Sequence, residues 1–289
     1  MKVILCVITY DRSKVFRECL QHNIEFLENI GLQVEVITLH NDGNYKDKKF
    51  VEDLISGVCL MPAANLGVAG GRNLIIAEMK KRDLVDAPAI FIDDDAIINS
   101  LPISVLSEPS SDIVACKSLN KSLSTRFHEL PYAVDDNTKE IYTSNFIGVS
   151  HIFMPRFLRS NLNYDIRFQY GFEEMYLSLL ALSYGYSIQY NSKYSVIHYK
   201  SPSGRLNNKT LIYERLKNKF IIANTFFTWP RSTIYKIINL LVCVIRSPQV
   251  LRELSSVMKD SKLKTHEVSY TRKQKLLSVL KEHNFPLWR

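Results

Sequence analysis

The chain is predicted to be an α/β protein with a mostly parallel twisted sheet flanked by helices and a basic helical C-terminal extension. Three observations carry that prediction. Over the first 95 residues, short apolar runs of strand length alternate with segments of helical periodicity. The polar residues that end these runs fall where open α/β sheets bind ligands, beyond the carboxyl ends of the strands. The last third of the chain changes character to basic, helix-like segments.

Taken in order, "VILCVIT" after Lys2 is β-branched and apolar and reads as a first strand. It is closed by Asp11 and Arg12 with no small-residue cleavage site, so a leader peptide is not expected. "RSKVFRECLQHNIEFLENIG" sets Phe16, Leu20, Ile24 and Leu27 at helical spacing, with Gly31 as a stop. "VEVITLH" is a second strand that ends in the turn signal "NDGN". "NYKDKKFVEDLI" is a short helix and "GVCLMPA" a third strand. "NLGVAGGRN" reads as a glycine-rich loop, with a helix starting near Arg72. "PAIFI" is a fourth strand, closed by Asp93, Asp94 and Asp95.

The middle is more mixed. "DIVACKS" is strand-like, residues 119–145 form a polar irregular insertion, and "FIGVSHIFMPRFLRS" is a strand running into a turn or short helix at Pro155. "GFEEMYLSLLALSYGY" is a helix with Met175, Leu179 and Leu182 on one face and Gly185 at its end, and "SIQYN" and "YSVIHY" are two short strands. A mobile loop is expected at "SPSGRLNNK". In "STIYKIINLLVCVIR", Ile234, Ile237, Ile238, Leu241 and Ile245 share one face; 15 residues are too few to span a bilayer. An interfacial helix on an anionic membrane and a helix packed on the domain's own core both remain open. The expected organisation is one domain over 1–210, with a nucleotide-binding half at about 1–98 and an acceptor half at about 99–210, followed by an extension over 211–289.

The net charge of +8 is unevenly spread: residues 199–289 hold 18 Lys and Arg against 5 Asp and Glu, so a body of net charge −5 carries a tail of +13. That asymmetry points to an anionic partner such as phosphate or a membrane surface. No nucleic-acid partner is expected, because the tail has neither a nucleic-acid fold signature nor an aromatic stacking module. The five cysteines are odd in number and widely spaced without a C-x-x-C pair, which argues against a zinc knuckle or a disulfide framework and for a reducing, cytoplasmic location.

Four features could carry chemistry. Two carboxylates about 4 Å apart repel by about 4 kcal/mol at an effective dielectric near 20, so three in succession at a buried strand end ask for a counter-charge. A solvated acidic turn is the plain alternative; a Mg²⁺ or Mn²⁺ ion would turn the repulsion into coordination. Asp93 and Asp95, one residue apart, suit a ribose-side contact and a metal contact. In "NLGVAGGRN", Gly67, Gly70 and Gly71 permit close backbone approach and Arg72 adds a fork-shaped cation, although no G-K-[ST] follows and a structural tight turn is the alternative. Glu173 and Glu174 open a helix, as dipole capping or as a general base. His198 is either an ordinary packed histidine or a third metal ligand.

The order "VITYDR", "HNDGN", "NLGVAGGRN", "FIDDDA", "FMPR", "GFEEMYLSLLALSYGYSI", "VIH" resembles family 2 glycosyltransferases of GT-A (Rossmann-like) fold over about residues 1–200. The resemblance implies an inverting, metal-dependent transferase of hexosyl or N-acetylhexosaminyl type. Its donor would be a nucleotide-diphosphate sugar, UDP-sugars first, and its acceptor a glycan or lipid-linked glycan of a bacterial-type surface polysaccharide. It further implies that Thr9, with Tyr10 beside it, and Asp42 contact base and ribose. Asn65, Gly71 and Arg72 would belong to the loop near base and phosphate, with Asp93 and Asp95 as the ends of the D-x-D motif for diphosphate and metal. Asp94 falls inside that motif, in the donor-binding set but without a firm role. Glu174, beside Glu173, matches the catalytic base, His198 a metal ligand, and Lys200 and Arg205 a closing segment that touches the diphosphate. Two departures stand out: the acid pair is Glu-Glu where the family has Glu-Asp, and Asp11 stands where the family often has Asn. A sugar nucleotidyltransferase of similar fold would normally carry a glycine-rich basic loop after the first strand, and "TYDRSKVF" has no glycine. A non-catalytic anion-binding or nucleic-acid-binding relative is the other alternative.

Overall fold

A computed structural model describes residues 1–43, 47–54, 57–200, 207–262, 268–283 and 285. Nine strands form one sheet in the order β3-β2-β1-β4-β8-β6-β9-β5, with β7 paired to β9. They are β1 Lys2–Thr9, β2 Gln33–His40, β3 Val58–Leu60, β4 Ala89–Asp93, β5 Ala96–Ser100, β6 Ile113–Leu119, β7 Glu140–Tyr142, β8 Ser150–Phe153 and β9 Ile188–His198. The first four run parallel. β6 and β9 share their direction, while β5, β7 and β8 run against it.

The central strands are apolar throughout because both sheet faces are covered. Successive side chains point to opposite faces: Ile4 and Cys6 of β1, with Ala89 and Phe91 of β4, enter one core, while Val3, Leu5 and Val7, with Ile90 and Ile92, enter the other. Helix α1 (Ser13–Asn29) covers the second core with Phe16, Leu20, Ile24 and Leu27, the helical stripe read from sequence. Helices α3 (Gly67–Lys81), α6 (Glu173–Ser183), α7 (Asn208–Phe226) and α10 (Tyr270–Glu282) cover the first. The remaining helices are α2 (Lys48–Leu54), α4 (Ser104–Ser107), α5 (Pro155–Leu158), α8 (Arg231–Arg246) and α9 (Val250–Asp260). All five cysteines are free.

Four sequence expectations need correction. The aspartate triplet does not simply end a strand: Asp94 and Asp95 turn directly into β5, which pairs with β9 so that Ala96 lies opposite His198. Buried Asn23 of α1 fixes this turn by donating to Ala96 O (3.1 Å) and accepting from Ile98 N (2.7 Å). Second, the glycine-rich segment is helical from Gly67, well before Arg72. A Cβ on Gly71 would meet the side chains of Ile8, Leu39 and Asn41, so glycine there lets α3 lie close on β1 and β2. Third, the two short strands near residue 190 are one strand, β9. Fourth, the expected face of α6 is no stripe, since Glu173 and every residue from Met175 to Ser183 are buried.

The boundary expected at 210–211 falls inside α7. Ile221, Ile222, Ala223 and Phe226 of that helix, with Leu276, Leu277 and Leu280 of α10, join the core of the α/β body. A separate small core of Leu216, Phe220 and Val257 lies between α7 and α9, with Leu240 and Val244 of α8 packed against it.

Candidate active site

The carboxyl ends of β1, β2, β4 and β9 meet at the rim of a cleft of about 900 Å³. Of the residues singled out in the sequence, Thr9, Tyr10, Asn65, Gly67, Arg72, Asp93, Asp94, Asp95, His198 and Lys200 line it, while Glu173 and Glu174 stand behind Arg72, outside the lining. Its floor is the triplet.

Asp94 is turned inward and its oxygens are taken up by the protein: Oδ2 accepts the Thr9 hydroxyl (2.7 Å) and Oδ1 accepts Arg12 Nη1 (2.8 Å). Arg12 also reaches Asp95 Oδ2 at 3.2 Å, so it supplies fixed positive charge beneath two of the three carboxylates. This answers the question of Asp94: it braces the turn that aims its two neighbours. Thr9 meets Asp94 through its hydroxyl.

The ligand atoms of Asp93, Asp95 and His198 all lie within 4.8 Å of one another. His198 reaches the cluster because β9 pairs with β5 directly after the triplet; its Nε2 is 3.2 Å from Asp95 Oδ1 and its Nδ1 2.9 Å from Glu129 Oε2. Burial pulls the imidazole down, but the hydrogen bonds to Asp95 and Glu129 outweigh it and hold His198 up to about 9. Burial works the other way on Glu129, yet its bonds to His198, Lys200 and Ser118 keep it well below the ordinary carboxylate range. A protonated imidazole thus supplies a cation among the carboxylates. Two carboxylate oxygens and one imidazole nitrogen are a donor set that Mn²⁺ or Mg²⁺ accepts once the proton leaves.

Glu129 was missed in the sequence because it sits in a short 3₁₀ turn, Phe127–Glu129, inside the polar insertion. Nothing near it in the chain marks it; the pairing of β6 with β9 and the bond from Ser118 Oγ to Glu129 Oε2 (2.6 Å) bring it to the site. Lys200 Nζ lies 2.7 Å from Glu129 Oε1 and 2.6 Å from His128 Nε2, so it is held on this network. Arg205 lies outside the described residues, as does most of the segment expected to close over the cleft.

Arg72 does not stand in a loop. It is buried in α3, and its guanidinium links two clusters: Nη2 donates to Gly148 O (2.9 Å) and lies 3.8 Å from Asp93 Oδ1, while Nη1 lies 3.3 Å from Glu174 Oε1 and 3.5 Å from Glu173 Oε1. The acid pair is therefore tied to the triplet through one cation, which also faces the Tyr164 ring at 5.3 Å. Glu173 is fully enclosed; burial, then the charge of Glu174, raises its carboxyl well above the ordinary range against the pull of Arg72. Glu174 is the more open of the two, its side chain 17% exposed against 4%. Gly148 makes room for it, since a Cβ there would overlap Glu174 Oε1. The backbone before α6 is left-handed at Gly171 (φ +77°) and Phe172 (φ +69°), and Asn218 of α7 clamps it by donating to Gly171 O (2.7 Å) and Tyr170 O (3.2 Å).

Two residues of the expected donor set lie elsewhere. Gly71 faces β1 and β2 and is not in the cleft lining, for the packing reason given above. Asp42 is also outside the lining and accepts from Asp11 N (3.1 Å), tying the ends of the first two strands. Asn41, one of the polar residues expected on the ligand edge at the end of the second strand, lines the cleft and clamps the entry to α3, donating to Gly67 O (3.1 Å) and accepting from Leu66 N (3.2 Å). From the first turns of α7 come Thr210, Leu211, Glu214 and Arg215, so the C-terminal segment forms one wall. Scattered residues of that kind carry no motif signal.

No protein-family model matches the chain, and no curated protein does. Solved structures do match. GalNAc-T7 with UDP, GalNAc and Mn²⁺ aligns at 12% identity with a TM-score of 0.63 over 99% of this chain and 58% of its own. Staphylococcus aureus TarS (residues 1–349) aligns at 13% identity with a TM-score of 0.56, over 98% of this chain and 80% of its own. The mannosyltransferase PcManGT from Pyrobaculum calidifontis, with GDP-Man and Mn²⁺, aligns at 12% identity with a TM-score of 0.53, over 98% and 87%. This chain thus spans little more than half of the GalNAc-T7 chain. At these identities the likeness establishes the fold, which is that of GT-A glycosyltransferases.

Proposed function

We propose that the chain is a metal-dependent glycosyltransferase of family 2 type. It moves a sugar from a nucleotide-diphosphate donor to an acceptor hydroxyl, with inversion at the anomeric carbon. The observation that carries this reading is the convergence of the ligand atoms of Asp93, Asp95 and His198 within 4.8 Å of one another in the lining of a cleft at the carboxyl ends of β1, β2, β4 and β9. These three residues would hold Mn²⁺ or Mg²⁺, which when bound would neutralise charge on the diphosphate leaving group. The volume of the cleft falls in the range of small-molecule sites.

The chain's own groups divide the remaining work. Thr9 and Arg12 brace Asp94, which keeps Asp93 and Asp95 pointed at the donor. Tyr10 and Asn65 lie on the wall where base and ribose would bind, with Arg215 and Lys200 supplying positive charge for phosphate. Glu174 takes the acceptor proton as the hydroxyl attacks from the face opposite the diphosphate. Arg72 fixes the Glu174 carboxylate and Glu173 completes the buried side of that pair. UDP-sugars are the first choice of donor, with hexosyl or N-acetylhexosaminyl transfer to a glycan or lipid-linked glycan of a bacterial-type surface polysaccharide, on the cytoplasmic side. Solved neighbours that contain UDP or GDP-Man together with Mn²⁺ support the donor class. A nucleotidyltransferase reading is disfavoured because Arg12, in the segment after β1, is committed to Asp94 and Asp95.

A thermal-shift series with UDP-, GDP-, CMP- and dTDP-sugars, with and without Mn²⁺, tests the reading. One nucleotide class should stabilise the protein in a Mn²⁺-dependent manner, and the Asp95→Asn variant should lose that dependence. Stabilisation by none of them, or by all of them regardless of metal, would overturn it.

A further inference from the structure

We infer that the face formed by α8 and α9 seats an anionic phospholipid surface, with a groove between α7, α8 and α9 that takes one lipid. The inference does not depend on the chemistry proposed for the α/β body. Among the described residues no helix is long and apolar enough to cross a membrane. The question is what the apolar stripe of α8 faces. It faces away from the protein: Tyr235 and Asn239 point inward, 4% and 1% exposed, while Ile237, Leu241 and Ile245 are 52%, 56% and 82% exposed. Packing on the core, one of the two options left open by the sequence, is therefore not what this stripe does. Helix α9 continues the exposed apolar surface with Leu251 and Met258.

Between these helices lies a groove of about 430 Å³. Phe220 of α7 contributes to it, and Ile237 and Leu240 of α8 and Leu254 and Met258 of α9 line it. One end differs from the rest. There the C-terminal part of α7, the N-terminal part of α8 and the end of α9 bring Asn224, Thr233, Lys236, Ser261 and Lys262 together. Lys236 Nζ donates to Asn224 Oδ1 (3.0 Å), whose Nδ2 donates to Ser261 O (3.1 Å), so this polar end is built and not incidental. Lys236 and Lys262 form no ion pair among the described residues. Trp229, 82% exposed, stands on the turn that leads into α8 at the same end. An apolar trough that ends in two ammonium groups beside Thr233 and Ser261, with an exposed indole on the turn into α8, matches one chemistry: an acyl chain joined to a phosphate headgroup at a membrane–water interface. The excess of positive charge over residues 199–289 favours an anionic leaflet over a neutral one.

Flotation of the full chain with phosphatidylcholine vesicles, alone or mixed with phosphatidylglycerol, tests this. Two double variants accompany it, Lys236→Gln with Lys262→Gln, and Ile237→Ser with Leu241→Ser; all four side chains are at or near the surface, and thermal melting checks that both variants fold. The wild-type chain should float with the mixed vesicles only and be released by high salt. Removal of two basic charges should lower partitioning about 10- to 30-fold, and the serine pair should also lower it. Three results would each overturn the inference: no flotation with mixed vesicles at low salt; flotation equal with both vesicle types or unchanged in the variants; or a dimer that the serine pair dissolves in a protein that binds no vesicle, which would assign the face to a second copy of the chain.

Discussion

Nδ1 of His198 lies 2.9 Å from Oε2 of Glu129, so a carboxylate 69 positions away in the chain holds the Nδ1 side of the ring and sets the aim of the imidazole beside Asp95. Carboxylates placed behind ligating histidines raise ligand basicity and orient the ring, and their loss costs about 10–100-fold in metal affinity. Glu129→Gln should therefore weaken Mn²⁺ binding by about that factor while nucleotide binding without metal is unchanged. Titration of Mn²⁺ followed by electron paramagnetic resonance reads this directly; unchanged Mn²⁺ affinity would show that Glu129 only packs the insertion against β9.

Replacing Glu174 with Gln removes the proposed proton acceptor and keeps shape and volume. Transfer should fall by about 10²–10⁴-fold, and the affinity for nucleotide with Mn²⁺ should stay within a few-fold, because Glu174 lies on the far side of Arg72 from Asp93. Steady-state kinetics beside calorimetric nucleotide binding separate the two effects. Near-normal transfer in this variant would remove Glu174 from the mechanism.

Gly148 supplies a purely steric test of the same group. A Cβ at this position would overlap Glu174 Oε1 and approach Arg72 Nη2 to 3.3 Å. Gly148→Ala should displace Glu174 and disturb the bond from Arg72 to Gly148 O, lowering turnover by at least about 10-fold, on the scale of a misplaced reacting group. Metal affinity should fall less than turnover, since Asp95 and His198 contact neither Arg72 nor Glu174 in the described contacts and only Asp93 meets the displaced guanidinium, at 3.8 Å. A crystal structure or a kcat measurement of the variant decides the matter.

How much of this was legible in the sequence follows from range. β1, β4 and the stripe of α1 are read from local periodicity, because both faces of each strand and one face of the helix are buried. The triplet and His198 were legible as candidates for the same reason: they sit at the ends of runs whose direction the alternation of strands and helices dictates. Arg72 was legible as a candidate cation but not in its place, since Gly71, one of the glycines that suggested a phosphate loop, instead serves close packing of α3 on the sheet. Glu129 and the wall from α7 were not legible at all. Each reaches the cleft through pairings between distant segments, such as Ser118 with Glu129 or Asn218 of α7 with Gly171, and no spacing in the chain encodes these.

Glu173 lends itself to a stability measurement that does not depend on substrate. Its carboxyl is raised well above the ordinary carboxylate range, first by burial and then by Glu174, with Arg72 opposing. Tyr164 and Asp93 are the other titratable groups against that guanidinium. A carboxyl with a raised folded-state pKa binds more protons in the native than in the unfolded chain once the pH exceeds the unfolded value. Its contribution is fully present below about 4.5 and is lost progressively as pH rises toward the folded value. Glu173→Gln replaces the neutral acid with a neutral amide of the same shape, so it should cost little at pH 5 and should flatten the fall in stability from pH 5 to pH 8. Urea unfolding at several pH values, read as the midpoint for wild type and variant, makes the comparison. Parallel curves for the two proteins would mean that the buried carboxyl is ionised in the native state, with Arg72 supplying its whole counter-charge.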